Sequence, residues 1–385
     1  MKGFAIFVYA DALNANFILS KVMPFLCSLA NKDNYRQLEN VVGYSFAIQS
    51  TMLSGRFPEE SNHWLPYFYS PQSSMVLTSL KKAGSIFMLD KVPYLRYMAI
   101  KLAFSFFNKK GVKVKNVPLS EIDSFFFYPY YYMCDLPFYQ ELEELLKEKY
   151  HVALSYIGPP HVRNNFYASV LNKIKNVDSR HLTILYDDTL DGLGHRYGPF
   201  SSECYSYARN LDNALSIVYK KLVNIFGSHF TFIVFSDHGQ HNLSNQMDLV
   251  SYLKKHNLKF IDDYLCFIDA TLALFWPKNE KAQEQLIKVL QLLKIGTLID
   301  ERLKEKYHLR FKNNKLYGNL VYVLTPGWSF FPNFFSPFSP LLGLHGYLPE
   351  ELVQKAFLIS NKKINPNISH VKDIKNLFLE ISTQY

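Results

Sequence analysis

Phe230-Thr231-Phe232-Ile233-Val234-Phe235-Ser236-Asp237-His238-Gly239-Gln240 is the stretch on which the fold turns. From Phe230 to Phe235 it is apolar or β-branched at consecutive positions. That pattern predicts a short strand buried on both faces of a parallel sheet. The run then stops abruptly on a carboxylate, an imidazole and a glycine. Two other runs share the pattern: Phe4 to Tyr9, leading to Asp11, and His181 to Tyr186, leading to Asp187 and Asp188. Helical periodicity lies between them, over Phe17 to Ala30, Phe138 to Lys149 and Glu203 to Phe226. Strands alternating with helices predict an α/β layered fold. Ligands of such sheets gather at the carboxyl ends of the strands, where these acidic residues fall.

The chemistry follows from what stands at those ends. Asp237 and His238 side by side on a strand-to-loop edge can chelate one divalent ion, and Gly239 lets the loop turn tightly. The plain alternative makes Asp237 a helix cap and His238 a loop residue. Asp11 would complete that ion; otherwise it caps the helix predicted from Phe17. In Asp191-Gly192-Leu193-Gly194-His195, the acid and the imidazole are read as converging from a loop, with the glycines removing the Cβ atoms in the way. The alternative is a glycine-rich surface turn. His345, in Gly343-Leu344-His345-Gly346, is weak alone and gains weight as the third ligand that the Asp191/His195 pair needs. Four hydroxyls compete as nucleophile: Ser45, Ser50, Thr51 and Ser54. On the residues alone that choice stays open.

Taken in order along the chain, these motifs resemble the nucleotide pyrophosphatase/phosphodiesterase branch of the alkaline phosphatase superfamily. The resemblance runs from Asp11 to His345. Gly55-Arg56-Phe57-Pro58-Glu59 is similar to the family's Thr-Gly-x-x-Pro-Glu turn, whose glycine follows the nucleophile by ten residues; counting back gives Ser45. Asp191, Gly194, His195, Gly198 and Pro199 match Asp-x-x-Gly-His-x-x-Gly-Pro. Ser236 to Gly239 match Ser-Asp-His-Gly, and Gly343, His345 and Gly346 match Gly-x-His-Gly. Where the family usually has Thr-Phe-Pro-Asn-His, this chain has Ser45-Phe46-Ala47-Ile48-Gln49. The family's phosphoryl-binding Asn has only Asn62 as a counterpart, one residue out of place.

The resemblance implies a single alkaline-phosphatase-like domain over 1–385: a three-layer sandwich around a central, mostly parallel sheet. Residues 91–137 and 246–335 would be insertions or lid elements. It implies hydrolysis of a phosphodiester or pyrophosphate bond through a phosphorylated Ser45. Two divalent ions would assist, one held by Asp11, Asp237, His238 and Ser45, the other by Asp191, His195 and His345. The His/Asp mixture favours zinc, with manganese second. A phosphomonoesterase or a phosphoryl or phosphoethanolamine transferase would use the same core. A sulfatase is disfavoured, because Ser45 is not followed by x-Pro-x-Arg. A non-catalytic metal-binding protein would be expected to lack a ligand, and all six are present.

Bulk composition sets outer bounds. The chain has 385 residues, a net charge of +9, 32 Phe and 27 Tyr. A basic excess attracts phosphorylated small molecules or anionic lipid. With no arginine-rich tract, a nucleic-acid polymer is not expected as partner. The substrate is read as a small or lipid-linked phosphate ester. The basic, then aromatic tract from Lys109 to Tyr132 raises peripheral membrane contact; packing is the other explanation. The scattered cysteines Cys27, Cys134, Cys204 and Cys266 fit a reducing compartment. The apolar amino terminus is read as a strand rather than a signal peptide. Together these give a cytoplasmic, membrane-peripheral expectation.

Overall fold

A computed structural model describes residues 3–19, 22–71, 74–107, 111, 114–129, 133–157 and 180–383. The chain divides into two units. The first comprises Met1–Phe57, Met133–Asn242 and Pro349–Tyr385; the second comprises Pro58–Tyr132 and Leu243–Leu348. The second unit takes in nearly all of both stretches read as insertions.

The first unit is built on a six-stranded sheet. Its strands are β1 (Phe4–Ala10), β2 (Tyr35–Leu38), β3 (Ala153–Ile157), β4 (His181–Asp187), β5 (Phe230–Ser236) and β6 (Ala356–Ser360). Their order is β2-β6-β5-β1-β4-β3. β5, β1, β4 and β3 are mutually parallel, while β6 runs against both β5 and β2. The three strands read from the sequence are thus the middle of the sheet. Every residue of β1 and of β5 is buried, as their unbroken apolar runs require.

Both faces are covered by helices. Phe4, Ile6 and Val8 share a core with Leu211, Leu215 and Leu222 of the 25-residue helix Ser202–Phe226. On the opposite face, Phe7 meets Phe378 of the helix Ile374–Thr383 edge to face, with ring centroids 4.8 Å apart. The α/β sandwich expected from the sequence is observed, with one antiparallel strand in the sheet.

One predicted helix is divided. The periodicity over Phe17 to Ala30 yields two short helices, Ala15–Leu19 and Pro24–Leu29; residues 20–21 lie outside the described residues. Pro24 is the cause. Its ring displaces the preceding residue from helical geometry, and Met23 sits at φ −116°, ψ 77°. The new helix start needs acceptors for its first amides. Asp212, buried on the long helix, supplies them: its carboxylate accepts from the amides of Phe25 and Leu26, both at 2.9 Å.

The second unit has its own four-stranded antiparallel sheet, ordered Tyr264–Ile268, Leu272–Pro277, Leu320–Leu324, Gly296–Ile299. The aromatic run Phe125–Phe127 forms a strand paired with Tyr67–Tyr69. Phe125 and Phe127 are buried there, and Tyr67 stacks on Phe267. This part of the aromatic tract is core, not a surface for greasy ligands. Lys109, Lys110, Val112, Lys113 and Tyr130 to Tyr132 lie outside the described residues. None of the four cysteines is in a disulfide.

Asp212→Ala should cost about 1–3 kcal/mol, because it leaves two amides of a buried helix start without an acceptor. Denaturant unfolding checks this. Stability equal to the parent would mean the cap contributes nothing.

Candidate active site

β1 and β5 pair in parallel with Tyr9 opposite Phe235, so their carboxyl ends lie side by side. The chain therefore delivers Asp11 and Asp237 to one place, and His238 follows directly. All three are buried. Their ligand atoms lie within 4.8 Å of one another. The Nε2 of His238 is 3.2 Å from Asp237 and 3.7 Å from Asp11.

Ser45 completes the group. It opens a ten-residue helix, Ser45–Ser54, and its Oγ lies 3.0 Å from His238 Nε2 and 3.4 Å from Asp11 Oδ1. Of the four candidate hydroxyls, only Ser45 has this position. Ser50 and Thr51 are fully buried further along the helix, and Ser54 bonds locally around Arg56. Gly55 ends the helix at φ +66°, a conformation that strains side-chain-bearing residues.

The carboxylates are held by partners that sequence reasoning missed. Asp237 accepts from the Tyr9 hydroxyl at 2.7 Å and from the amides of Ala12 and His238. Asp11 accepts from the Tyr186 hydroxyl at 2.6 Å. Tyr9 and Tyr186 are register partners on β1 and β4, packed edge to face. The Gln49 amide, one turn after Ser45, lies 3.4 and 3.5 Å from their hydroxyls. Asn40 fixes the loop after β5 by donating to the carbonyls of Asp237 and Gln354, both at 2.7 Å. A signal for the tyrosines was present: each of the two strands places a phenol one or two residues before its terminal carboxylate.

Electrostatics identify what the group suits. Burial, then the charges of Asp237 and Asp191, push the Asp11 carboxyl well above the usual carboxylate range, against the hydrogen bond from Tyr186. Burial and the adjacent carboxylates also drive the Tyr9 and Tyr186 hydroxyls far up, so both remain donors. His238 Nδ1 is 3.1 Å from the Gly239 carbonyl, which assigns its proton there and leaves the Nε2 lone pair facing two carboxylates. Three electron-rich atoms converging in a buried site fit a divalent cation.

Asp191 and His195 differ from expectation in their setting. They lie on a helix, Thr189–Tyr197, not a loop. Four residues apart, they share one face, with His195 Nε2 3.2 Å from Asp191 Oδ1. The glycines play different parts. A Cβ on Gly192 would meet nothing, but one on Gly194 would lie 2.0 Å from Gln240 Oε1. Gln240 uses that space to donate to the Asp191 carboxylate at 2.6 Å and to its carbonyl at 3.0 Å. Asp187 is a supporting residue, accepting from the Thr189 amide and the Tyr207 hydroxyl.

His345 belongs to the second unit and is buried; its carbonyl accepts from the Thr271 hydroxyl at 3.0 Å. Asn62, also in the second unit, is exposed at φ +57°, and its carbonyl accepts from the Tyr317 hydroxyl.

Comparison with known proteins identifies the family and the fold. The family model for type I phosphodiesterase / nucleotide pyrophosphatase matches residues 5–348. Murine ectonucleotide pyrophosphatase/phosphodiesterase 5, in an inactive form in complex with AMP, superposes with a TM-score of 0.64 at 18% identity, covering 100% of this chain and 95% of that one. A second structure of the murine protein gives 0.66 at 16% identity, with 99% and 95% covered. The human counterpart gives 0.63 at 16% identity, with 100% and 95% covered. At these identities the superpositions bear on the fold.

Tyr9→Phe keeps the ring and removes only the hydroxyl that orients Asp237. It should weaken binding of a divalent cation by about 10-fold, the lower end of what losing such support costs. Calorimetric titration of metal-stripped protein reads this directly. Unchanged affinity would deny the hydroxyl that role.

Proposed function

Because the chain belongs to the type I phosphodiesterase/nucleotide pyrophosphatase family, and so is a phosphodiesterase-type hydrolase, we propose that it cleaves a phosphodiester or pyrophosphate bond of a small substrate through a phosphorylated Ser45. The observation that carries this reading is the position of the Ser45 hydroxyl, 3.0 Å from His238 Nε2 and 3.4 Å from Asp11.

Asp11, Asp237 and His238 would hold one divalent ion, and Asp191 and His195 would contribute to holding a second, with zinc favoured by the nitrogen and carboxylate donors. Such ions supply positive charge that lowers the pKa of a serine hydroxyl and offsets the charge of the phosphoryl oxygens. The chain contributes the rest. Ser45 stands at the start of its helix, where the positive end of the helix dipole favours both an alkoxide and an arriving phosphate. Attack by its oxygen on phosphorus displaces the ester oxygen, and hydrolysis of the phosphoserine restores the hydroxyl. Tyr9 and Tyr186 keep the carboxylates aimed, and Gln240 does the same for Asp191.

The AMP bound to the murine relative makes a nucleotide ester the first physiological substrate class to test.

With zinc or manganese, the purified chain should hydrolyse an aryl phosphodiester faster than an aryl phosphomonoester. Ser45→Ala should lose at least about 100-fold in kcat/KM. Full activity in Ser45→Ala would remove the nucleophile. Preference for the monoester would make the protein a phosphomonoesterase.

A further inference from the structure

We propose that the helical hairpin at residues 75–107 docks the protein on the surface of an anionic lipid bilayer. It is formed by the helices Met75–Ile86 and Pro93–Phe107. Both lie in the second unit.

The second helix has two apolar sides. Ile100 and Phe104 point inward and are buried, Phe104 lying edge to face with Phe127 at 5.2 Å. The other side carries Tyr94, Met98, Leu102 and Phe106, between 44% and 71% exposed. Residues four apart advance about 40° around a helix, so these four sweep an arc of roughly 120°. An ordinary surface helix sets polar residues there. The preceding turn repeats the anomaly. Ile86, Phe87 and Met88 are three consecutive apolar residues, 74%, 72% and 59% exposed. Turns ordinarily carry small and polar residues, and an exposed apolar run of this kind marks a surface that meets something.

Charge identifies the occupant. Between residues 75 and 107 the basic residues are Lys81, Lys82, Lys91, Arg96 and Lys101, and the acidic one is Asp90. Arg96 is tied to Asn116 and Asp90, and Lys81 to Asp123. Lys82, Lys91 and Lys101 are exposed beside the apolar residues. Apolar side chains edged by lysine match the layered chemistry of an anionic interface: acyl chains below, phosphates above. A second copy of the chain fits less well, since a two-fold pairing of this face would bring its lysines against one another.

The geometry is that of a helix lying in the interface. Fifteen residues reach about 22 Å, short of a hydrocarbon core of about 30 Å. Among the described residues no helix is long and apolar enough to cross a membrane.

Flotation of the full chain with vesicles decides the matter. It should float with phosphatidylcholine vesicles containing phosphatidylserine, and at least about 10-fold less with phosphatidylcholine alone. Leu102→Glu combined with Phe106→Glu should abolish flotation, and Lys82→Glu with Lys101→Glu should reduce it to the neutral-vesicle level. Both changes are at exposed positions, so hydrolysis of a soluble aryl phosphodiester should be unaltered. Absence of flotation with the anionic vesicles, or equal flotation of the leucine and phenylalanine variant, overturns the proposal. A dimer detected by light scattering that Leu102→Glu dissociates also overturns it, assigning the face to a second copy.

Discussion

Two carboxylates delivered to one buried point by adjacent parallel strands set the terms for the rest of the first unit. β1 and β5 pair in register, and an aspartate directly follows each. Like charges this close and this dry are costly, and burial first, then the charge of Asp237, raises Asp11. The surrounding structure meets that cost in a consistent way. Three polar side chains around Asp11 and Asp237 offer a hydrogen: the hydroxyls of Tyr9 and Tyr186 and, behind them, the amide of Gln49. These donors reduce the repulsion without removing it, since a neutral donor contributes less than a charge. A site so arranged suits a cation, and Ser45 Oγ lies 3.0 Å from the His238 Nε2 that faces the two carboxylates.

What was legible in the sequence was whatever local pattern determines. The consecutive apolar runs ending in Asp11, Asp187 and Asp237 gave the central strands, because a strand buried on both faces has little alternative composition. The long helix came out within a residue of its observed limits, Ser202–Phe226. The division at Pro24 was also written in the sequence, but periodicity outweighed it in the reading. The Asp191 segment was misjudged for a related reason. Two glycines in five residues indicate a loop by propensity, and here packing prevails: Gly194 is needed because Gln240 lies against the helix. No single-segment rule could show that contact, since 46 residues separate the partners.

The missed site residues share one property. Tyr9, Tyr186, Asn40, Gln49 and Gln240 act on residues distant in sequence, through the tertiary fold. Motif spacing finds side chains that touch the reacting atoms, because their neighbours in the chain are constrained with them. Supporting side chains are constrained only by the position they fill. Tyr9 reads as one more apolar residue of a core strand until Asp237 is set beside it.

That distinction also bears on the departure at the proposed nucleophile. The family commonly carries Thr-Phe-Pro-Asn-His, and this chain carries Ser45-Phe46-Ala47-Ile48-Gln49. Ala47 has an amide that a proline would lack, and it donates to the Tyr44 carbonyl at 2.9 Å, closing the first turn of the helix. Gln49 stands where that pattern has histidine. Its amide reaches toward two phenols, both held protonated by burial. A glutamine cannot change charge, whereas a histidine there would titrate close to the proposed ions. The substitutions therefore keep a hydroxyl at Ser45, the proposed nucleophile, and set behind the two carboxylates a network of neutral donors whose phenols stay protonated across the physiological range.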